Sequence, residues 1–335
     1  MVTFRTAAAP AVARLLGAAG FLVAVALTLP AAAEPFHMKN HSPVWFGLLY
    51  PAAESPGTLA EGHSSARADF SYSSIFFKDN NVAADAGWNY FFDMELAQLT
   101  FDLRRGFGPF EAGVELPLFR AGGGFMDQTI LDYHQAFGFP DYLGQREAPR
   151  NRYLYSVTHN GNAWNAASPN TATLGDVTVW LKRELVKDGA GNLAAKLLLQ
   201  APTASTSAGL GNGAWEYGLM LIGQRREGPL EVTINAAAVN PGFIDRGERI
   251  TLKPMYLCDG AIELFITERL SAVGQLSYVT SPYGEEAAMM FQRAWYAITL
   301  GGRYVTDAGR KIEFSFLEDL SNTAPDFSIG FGVSF

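Results

Sequence analysis

Asp326-Phe327-Ser328-Ile329-Gly330-Phe331-Gly332-Val333-Ser334-Phe335, the last ten residues, alternate without a break. Phe327, Ile329, Phe331, Val333 and Phe335 share one side and Ser328, Gly330, Gly332 and Ser334 the other, because successive residues of a strand face opposite sides of a sheet. One face is greasy and the other small and polar. In a soluble sandwich the greasy face looks inward; in a barrel crossing the outer membrane it looks outward at lipid. Alternation alone does not separate the two, but the ends of the chain do.

At the first end, Arg5 and Arg14 accompany an apolar run from Leu15 to Leu29, followed by Ala31-Ala32-Ala33. These are the three parts of a cleavable export signal, and the run is too short for a comfortable helical span. We expect residues 1–33 to be removed and the mature chain to begin at Glu34. At the other end, a strand closing on Phe335 with apolar residues at every second position resembles the C-terminal signature of outer-membrane barrels. That resemblance makes Phe335 the signal read by the barrel-assembly machinery.

The mature part contains no stretch of about 18 apolar residues, so it offers no helical span. Charged residues are 17% of the chain, below the roughly 25% usual for soluble domains. Aromatics reach 13%, and there are 34 Gly. That balance suits a wall facing lipid. Cys258 is the single cysteine, so an intramolecular disulfide, CxxC chemistry and a thiolate metal cluster are all ruled out. The net charge of −8 argues against nucleic acid as a partner.

Eleven more alternating segments precede the last, near 311–319, 291–304, 271–281, 250–267, 230–240, 214–226, 192–203, 174–186, 109–119, 89–103 and 65–77. The expected fold is all-β: an up-and-down antiparallel barrel of about twelve strands over residues 61–335. One strand changes phase, with Phe92, Met94 and Leu96 before Leu99, Phe101 and Leu103. A β-bulge near Leu96–Ala97 is the expected repair. An even strand count places both mature termini in the periplasm. The short connections Arg104–Gly108, Lys187–Asn192, Glu227–Pro229, Glu268–Leu270 and Thr306–Arg310 then all fall on the periplasmic side. The longer ones, 78–88, 120–172, 204–213, 241–249, 282–290 and 320–325, fall outside. Trp88, Tyr90, Trp215, Tyr217, Tyr278, Tyr283, Trp295 and Tyr304 lie near strand ends, where an aromatic girdle is expected.

The stretch Gly122-Gly123-Gly124-Phe125-Met126-Asp127, then Asp132-Tyr133-His134 and Phe137-Gly138-Phe139-Pro140, resembles a motif of an uncharacterised family of Gram-negative outer-membrane proteins. Glu115-Leu116-Pro117, Leu174-Gly175-Asp176-Val177, Asn40-His41-Ser42-Pro43 and Phe46-Gly47-Leu48 fit the same pattern. The resemblance implies a barrel and no reaction. Leu174-Gly175-Asp176, Lys182 and Ala201-Pro202-Thr203 also resemble outer-membrane proteins linked to uptake of phenolic compounds. The usual Gly after Pro-Thr is replaced by Ala204.

The faces opposite the greasy ones present Arg67, Asp69, Asp93, Glu95, Glu111, Glu115, Asp176, Lys182, Lys196, Glu216, Glu231, Lys253, Asp259, Glu263, Arg293, Arg303 and Glu313. So many charges are tolerated only in water or in mutual pairs. Asp93, Glu95, Glu111, Glu115, Lys196, Glu216, Lys253, Glu263, Arg293, Arg303 and Glu313 are therefore candidate pore-lining residues. They describe either a hydrated pore whose acidic bias favours cations or polar solutes, or a cross-linked interior that holds the barrel shut.

Loop 120–172 is long enough to have its own structure. Gly122 to Gly124 read as a flexible hinge. Phe125, Ile130, Tyr133, His134 and Phe137 fall on one side of a short helix of about four turns that Pro140 ends. Residues 150–157 and 163–167 suit a hairpin about Asn160-Gly161. Phe125, Met126, Asp127, Asp132, His134 and Phe137 are candidates for a constriction folded into the barrel mouth; the other reading is a cap on the rim. Asp127, Asp132 and His134 do not share a helical face as metal ligands do, and we expect no metal and no cofactor. Ser156 and His159 are the nearest approach to a hydrolytic pair, yet they lie in a loop and not on the wall.

Segment 34–60 carries Pro35, Pro43, Pro51 and Pro56 around an apolar stretch from Val44 to Tyr50. A short strand, a plug in the lumen and a periplasmic tether all fit it. The expected function is a bacterial outer-membrane channel or transporter for a small solute. Its expected partners are outer-membrane lipid, lipopolysaccharide and the assembly machinery, and it is not an enzyme. The alternative is a closed barrel with a structural or surface-interaction role, and an outer-membrane lipid hydrolase comes last.

Overall fold

Alternating segments bury their polar face by pairing edge to edge until the first meets the last. The computed structural model describes residues 34–78, 87–138, 145–188, 191–321, 325 and 327–335. Among these, twelve antiparallel strands close a barrel. They are β1 (Ser64–Lys78), β2 (Trp88–Phe107), β3 (Phe110–Gly122), β4 (Val177–Asp188), β5 (Gly191–Ala201) and β6 (Glu216–Glu227). They continue as β7 (Leu230–Asn240), β8 (Met255–Phe265), β9 (Leu270–Val279), β10 (Trp295–Val305), β11 (Lys311–Asp319) and β12 (Phe327–Ser334). The seam closes where β1 pairs β12, from Arg67↔Ser334 to Ser74↔Phe327. Closure satisfies the backbone inside hydrocarbon, where an open edge does not survive.

Hydrophobic outward faces run round the wall. Leu197, Leu219, Ile234, Ile262, Leu276 and Phe314 are all exposed, while their sequence neighbours are buried. Trp215, Tyr217, Tyr278 and Tyr304 are exposed outward aromatics, as a girdle requires. Trp88, Tyr90, Tyr283 and Trp295 are not part of it; they are buried in the core. One end carries tight connections such as Gly108–Pro109 and Gly228–Pro229. The other carries the long loops.

Two irregularities differ from the sequence reading. β2 pairs β1 from Ser64↔Arg105 to Lys78↔Phe91, and pairs β3 throughout, without a slip. The bulge expected near Leu96–Ala97 does not exist. The phase of β2 changes because the polarity of the barrel inverts along its axis. Towards the turn end, Leu99, Phe101 and Leu103 face out and Gln98, Thr100 and Asp102 face in. Towards the loop end, Phe92, Met94 and Leu96 face in, buried, while Asp93 and Glu95 face out. β1 inverts at the same height, with Ser71 and Ser73 inward below Ile75 and Phe77. An irregularity occurs instead between Glu184 and Val186 of β4. Ahead of β4 its line is broken into a short piece, Ala172–Leu174, which pairs with Leu118–Arg120; the break falls at Pro117, whose carbonyl takes the Gly175 N–H (2.8 Å). Pro117 has no N–H to continue that ladder.

Loop 120–172 contains α1 (Asp127–Phe137) and a strand, Leu154–His159, that extends β2. Its turn is Asn160-Gly161, both at positive φ, as the sequence predicts. Left-handed Gly138 caps α1; Pro140, the expected terminator, lies outside the described residues. So does the export signal.

Candidate functional site

Towards the turn end, the inward faces of the wall carry charge. Arg67 meets Asp69 (2.7 Å) and Glu313, and Arg303 meets Glu313 (2.6 Å) and Glu263 (2.5 Å). On the neighbouring strands β2, β3 and β4, Arg104 meets Asp102 (2.6 Å), and Lys182 meets Glu111 (3.3 Å). Trp180 lies inward between them, with Lys196 Nζ 4.2 Å from its ring centre. Gly113 makes room for that indole; a Cβ there would stand 2.3 Å from it. Ions this deep persist because each has a partner.

Segment 34–60 runs between these two groups as a U-shaped plug. Glu34 lies among Arg67, Arg104 and Lys311 at the turn end. Lys39 reaches Glu115 (3.2 Å), and His41 reaches Ser73 (2.7 Å) and Gln98 (2.8 Å). The chain reverses at 42–48, where Phe46 N–H donates to Ser42 O. It returns past Gln200, whose amide donates to Gly47 O (3.1 Å), and Glu216, which takes the Leu49 N–H. Glu54 then binds Lys182 (2.9 Å) and Lys196 (2.6 Å), and Leu59 N–H donates to Glu111 (2.6 Å). Residues 40–56 are all buried.

Those contacts set the protonation of the plug. Burial works to raise the Glu34 and Glu54 carboxyls, but the surrounding Lys311, Arg104, Arg67, Lys182 and Lys196 outweigh it and hold both well below the usual range. Burial, reinforced by Lys39 and opposed by the bond to Gln98, pushes His41 down to about 4.

Towards the loop end the interior is apolar. Val44, Trp45, Leu48, Leu49 and Tyr50 of the plug join Phe92, Met94, Tyr155, Trp164, Met255 and Phe291 in one core. Arg246, from a loop hairpin of Phe243–Asp245 and Arg249–Thr251, donates to Pro43 O (2.6 Å) and the Tyr155 hydroxyl (3.0 Å). The Tyr283 hydroxyl donates to Val44 O (2.6 Å). Between the plug and β2, β3 and β5 remains a cavity of about 30 Å³, lined by Lys39, His41, Phe46, Glu115, Phe119 and Gln200. That is room for a water or two.

Of the candidate residues, the structure places Glu111, Glu115, Lys196, Glu216, Glu263, Arg303 and Glu313 on the inner face. It does not place Asp93, Glu95, Lys253 or Arg293 there. Asp93 and Glu95 face outward under loop 120–172, where Arg152 meets Asp93 (3.1 Å). Lys253 and Arg293 sit exposed in loops, because β8 and β10 begin later than the alternation suggests.

The constriction is also corrected. Phe125 stacks on Tyr72 (5.3 Å), and Tyr133 meets Phe316 (6.2 Å) and Phe327 (6.1 Å). All three partners face outward, since their neighbours Ser73, Ser315 and Ser328 face in. Phe125 and Met126, which lead into α1, and Asp127, Asp132, His134 and Phe137 within it therefore lie on the outside of the wall. Asp127 takes the Asn151 N–H (2.6 Å), and Asp132 takes the Gln128 amide (2.8 Å). Gly124 is no hinge: at φ +67 it packs against the Glu95 carboxylate. Ser156 and His159, three apart on a strand, face opposite sides, and His159 Nδ1 is bound to Glu248 (2.8 Å).

The closed wall is similar in fold to the crystal structure of the COG4313 outer membrane channel from Pseudomonas putida F1. The two share a TM-score of 0.56 at 12% identity, over 83% of this chain and 97% of that one. The NanC porin aligns at a TM-score of 0.43 and 11% identity, over 82% and 99%. The translocator domain of the autotransporter NalP from Neisseria meningitidis aligns at 0.43 and 10%, over 81% and 88%. No curated protein matches the sequence. A family model, Protein of unknown function (DUF3187), matches residues 20–335. The chain belongs to that family. The DUF3187 chain thus has an outer-membrane barrel fold, as its motifs led us to expect.

What sequence reasoning missed in this DUF3187 barrel is the plug's own chemistry. Glu34, Lys39, His41 and Glu54 bind the wall; Arg104 answers Glu34 and Glu54, and Arg246 holds the Pro43 carbonyl. One signal was available: Glu54 follows Pro51-Ala52-Ala53, a carboxylate in an otherwise uncharged stretch.

Proposed function

We propose that this protein is a gated outer-membrane channel for small polar solutes, held shut by segment 34–60 and opened when that segment moves. One observation carries the reading. Among the described residues, 34–60 contributes no strand to the barrel, and wall side chains hold it in place. Withdrawing it leaves every wall ladder intact and uncovers a lumen where Asp102, Glu111, Glu115, Glu216, Glu263 and Glu313 outnumber Arg67, Arg104, Lys182, Lys196 and Arg303. Such a lining favours cations and neutral polar solutes. On this reading residues 1–33 are removed on export, and the turn end with both mature termini faces the periplasm.

The density of ion pairs between plug and wall favours a second reading, a permanently closed barrel with a structural or surface role. Planar-bilayer recordings decide. Wild-type protein should open rarely, and a variant lacking 37–57 should give large, lasting steps. A well-assembled deletion variant that stays silent overturns the channel.

A further inference from the structure

The wall marks where its lipid-facing belt stops. Outward residues of β3 run Ala112, Val114, Leu116 and Leu118 and then change to Arg120. Arg120 pairs with Ala97, and Ala97 with Tyr72, so these three form one outward row across β3, β2 and β1. The next outward row towards the loop end is Ser74, Glu95 and Gly122. Carboxylates on a wall at bilayer depth are costly, and here Glu95 is covered.

The cover is α1. Glu95 Oε1 takes the N–H groups of Phe125 (2.9 Å) and Met126 at the start of the helix. Ile130 and Leu131 are buried beneath it, while Gln128, Thr129, Asp132 and Gln135 face away from the wall. At its two ends stand Phe125, 68% exposed, and Phe137, 70% exposed. Both are continuous with outward wall aromatics, Phe125 through Tyr72 and Phe137 through Tyr133 to Phe316 and Phe327. A polar outer side, a buried underside and aromatic ends level with the rim of the belt describe a helix lying in the lipid–water boundary.

We propose that α1 is an interfacial anchor: Phe125 and Phe137 bind the acyl chains of the surrounding leaflet, and Glu95 latches the helix to the wall. Gly124 makes the latch specific. It lies at φ +67, and a Cβ there would stand 1.8 Å from the Glu95 carboxyl carbon. The occupant is lipid and not a protein partner, because the exposed rings extend the apolar belt without a break. The long loop is thereby held outside the pore and leaves the lumen to the plug.

The test uses the full chain with Cys258→Ser, in vesicles of phosphatidylcholine brominated on its acyl chains. An environment-sensitive fluorophore is placed at Phe137→Cys, Gln128→Cys or, as wall control, Phe331→Cys. The label at 137 should lose as much fluorescence to bromine as the label at 331. The label at 128 should lose little and be quenched by aqueous iodide instead. Adding Gly124→Ala, or Phe125→Ser should the first fail to assemble, should abolish quenching at 137 while the barrel keeps its heat-modifiable gel mobility. A label at 137 that iodide reaches and bromine does not would overturn the anchor. Quenching unchanged by Gly124→Ala in an assembled barrel would overturn the latch.

Discussion

Lys182 Nζ of the wall lies 2.9 Å from Glu54 Oε2 of the plug, and each side chain is 1% exposed. The second oxygen of the same carboxylate faces Lys196 at 2.6 Å. One plug carboxylate thus bridges two buried cations of the barrel, and plug and wall need each other electrostatically.

Glu54→Gln should therefore loosen the plug and not the wall. Lys182 then keeps only Glu111 (3.3 Å) and Lys196 only Glu115 (4.0 Å), a loss of about 3 kcal/mol of plug docking, while barrel ladders run between strands. We expect a large rise in open probability in planar bilayers with little change in the thermal unfolding of the barrel. Conductance indistinguishable from wild type would show that Glu54 does not hold the gate.

Acid should open the channel. His41 is held near 4 in the docked plug against 6.5 when free, so docking favours its neutral form. The undocked state binds more protons between these values, so docking is full above about pH 6.5 and weakens as pH falls towards about 4. Glu34 and Glu54, both lowered in the docked state, lose their contribution lower still. Open probability should rise up to roughly tenfold per pH unit through that window. His41→Gln should flatten the rise above pH 5; an unaltered profile would remove His41 from the gate.

Orientation is read by labelling intact cells with a membrane-impermeant maleimide. Glu147→Cys, exposed in the long loop, should react, and Asp188→Cys, at a turn between β4 and β5, should react only after lysis. The reverse pattern would invert the barrel.

Deleting Phe335 should lower assembly without altering export. Its N–H donates to Ala66 O (2.8 Å), and its carbonyl accepts from Ala66 N (3.3 Å), so it extends the β1–β12 seam. Arg310 lies over its ring, 5.4 Å from the centre. Normal membrane levels of the truncated chain would separate the terminal residue from assembly.

The sequence by itself determined the wall. Period-two alternation found all twelve strands and the contrast between tight and long connections, and the Asn160-Gly161 pair marked its own turn, because each depends on residues a few positions apart. On β3, β5, β8, β10 and β11 it set the inward charges opposite an apolar outward face, as Glu115 stands opposite Val114 and Leu116. Tertiary structure alone decided which face is inner once that stops being true. Alternation states that Asp93 and Glu95 oppose Phe92 and Met94; it carries no sign for inside or outside. The sign comes from what packs on each face: the plug and loops on the apolar one, α1 on the carboxylates. The plug has no period to read, since its proline-broken chain follows a path set by side chains from strands far away in sequence. The helix was legible and its place was not, because Phe125 and Phe137 suit a pore mouth and a lipid boundary equally, and only the outward ring of Tyr72 chooses between them.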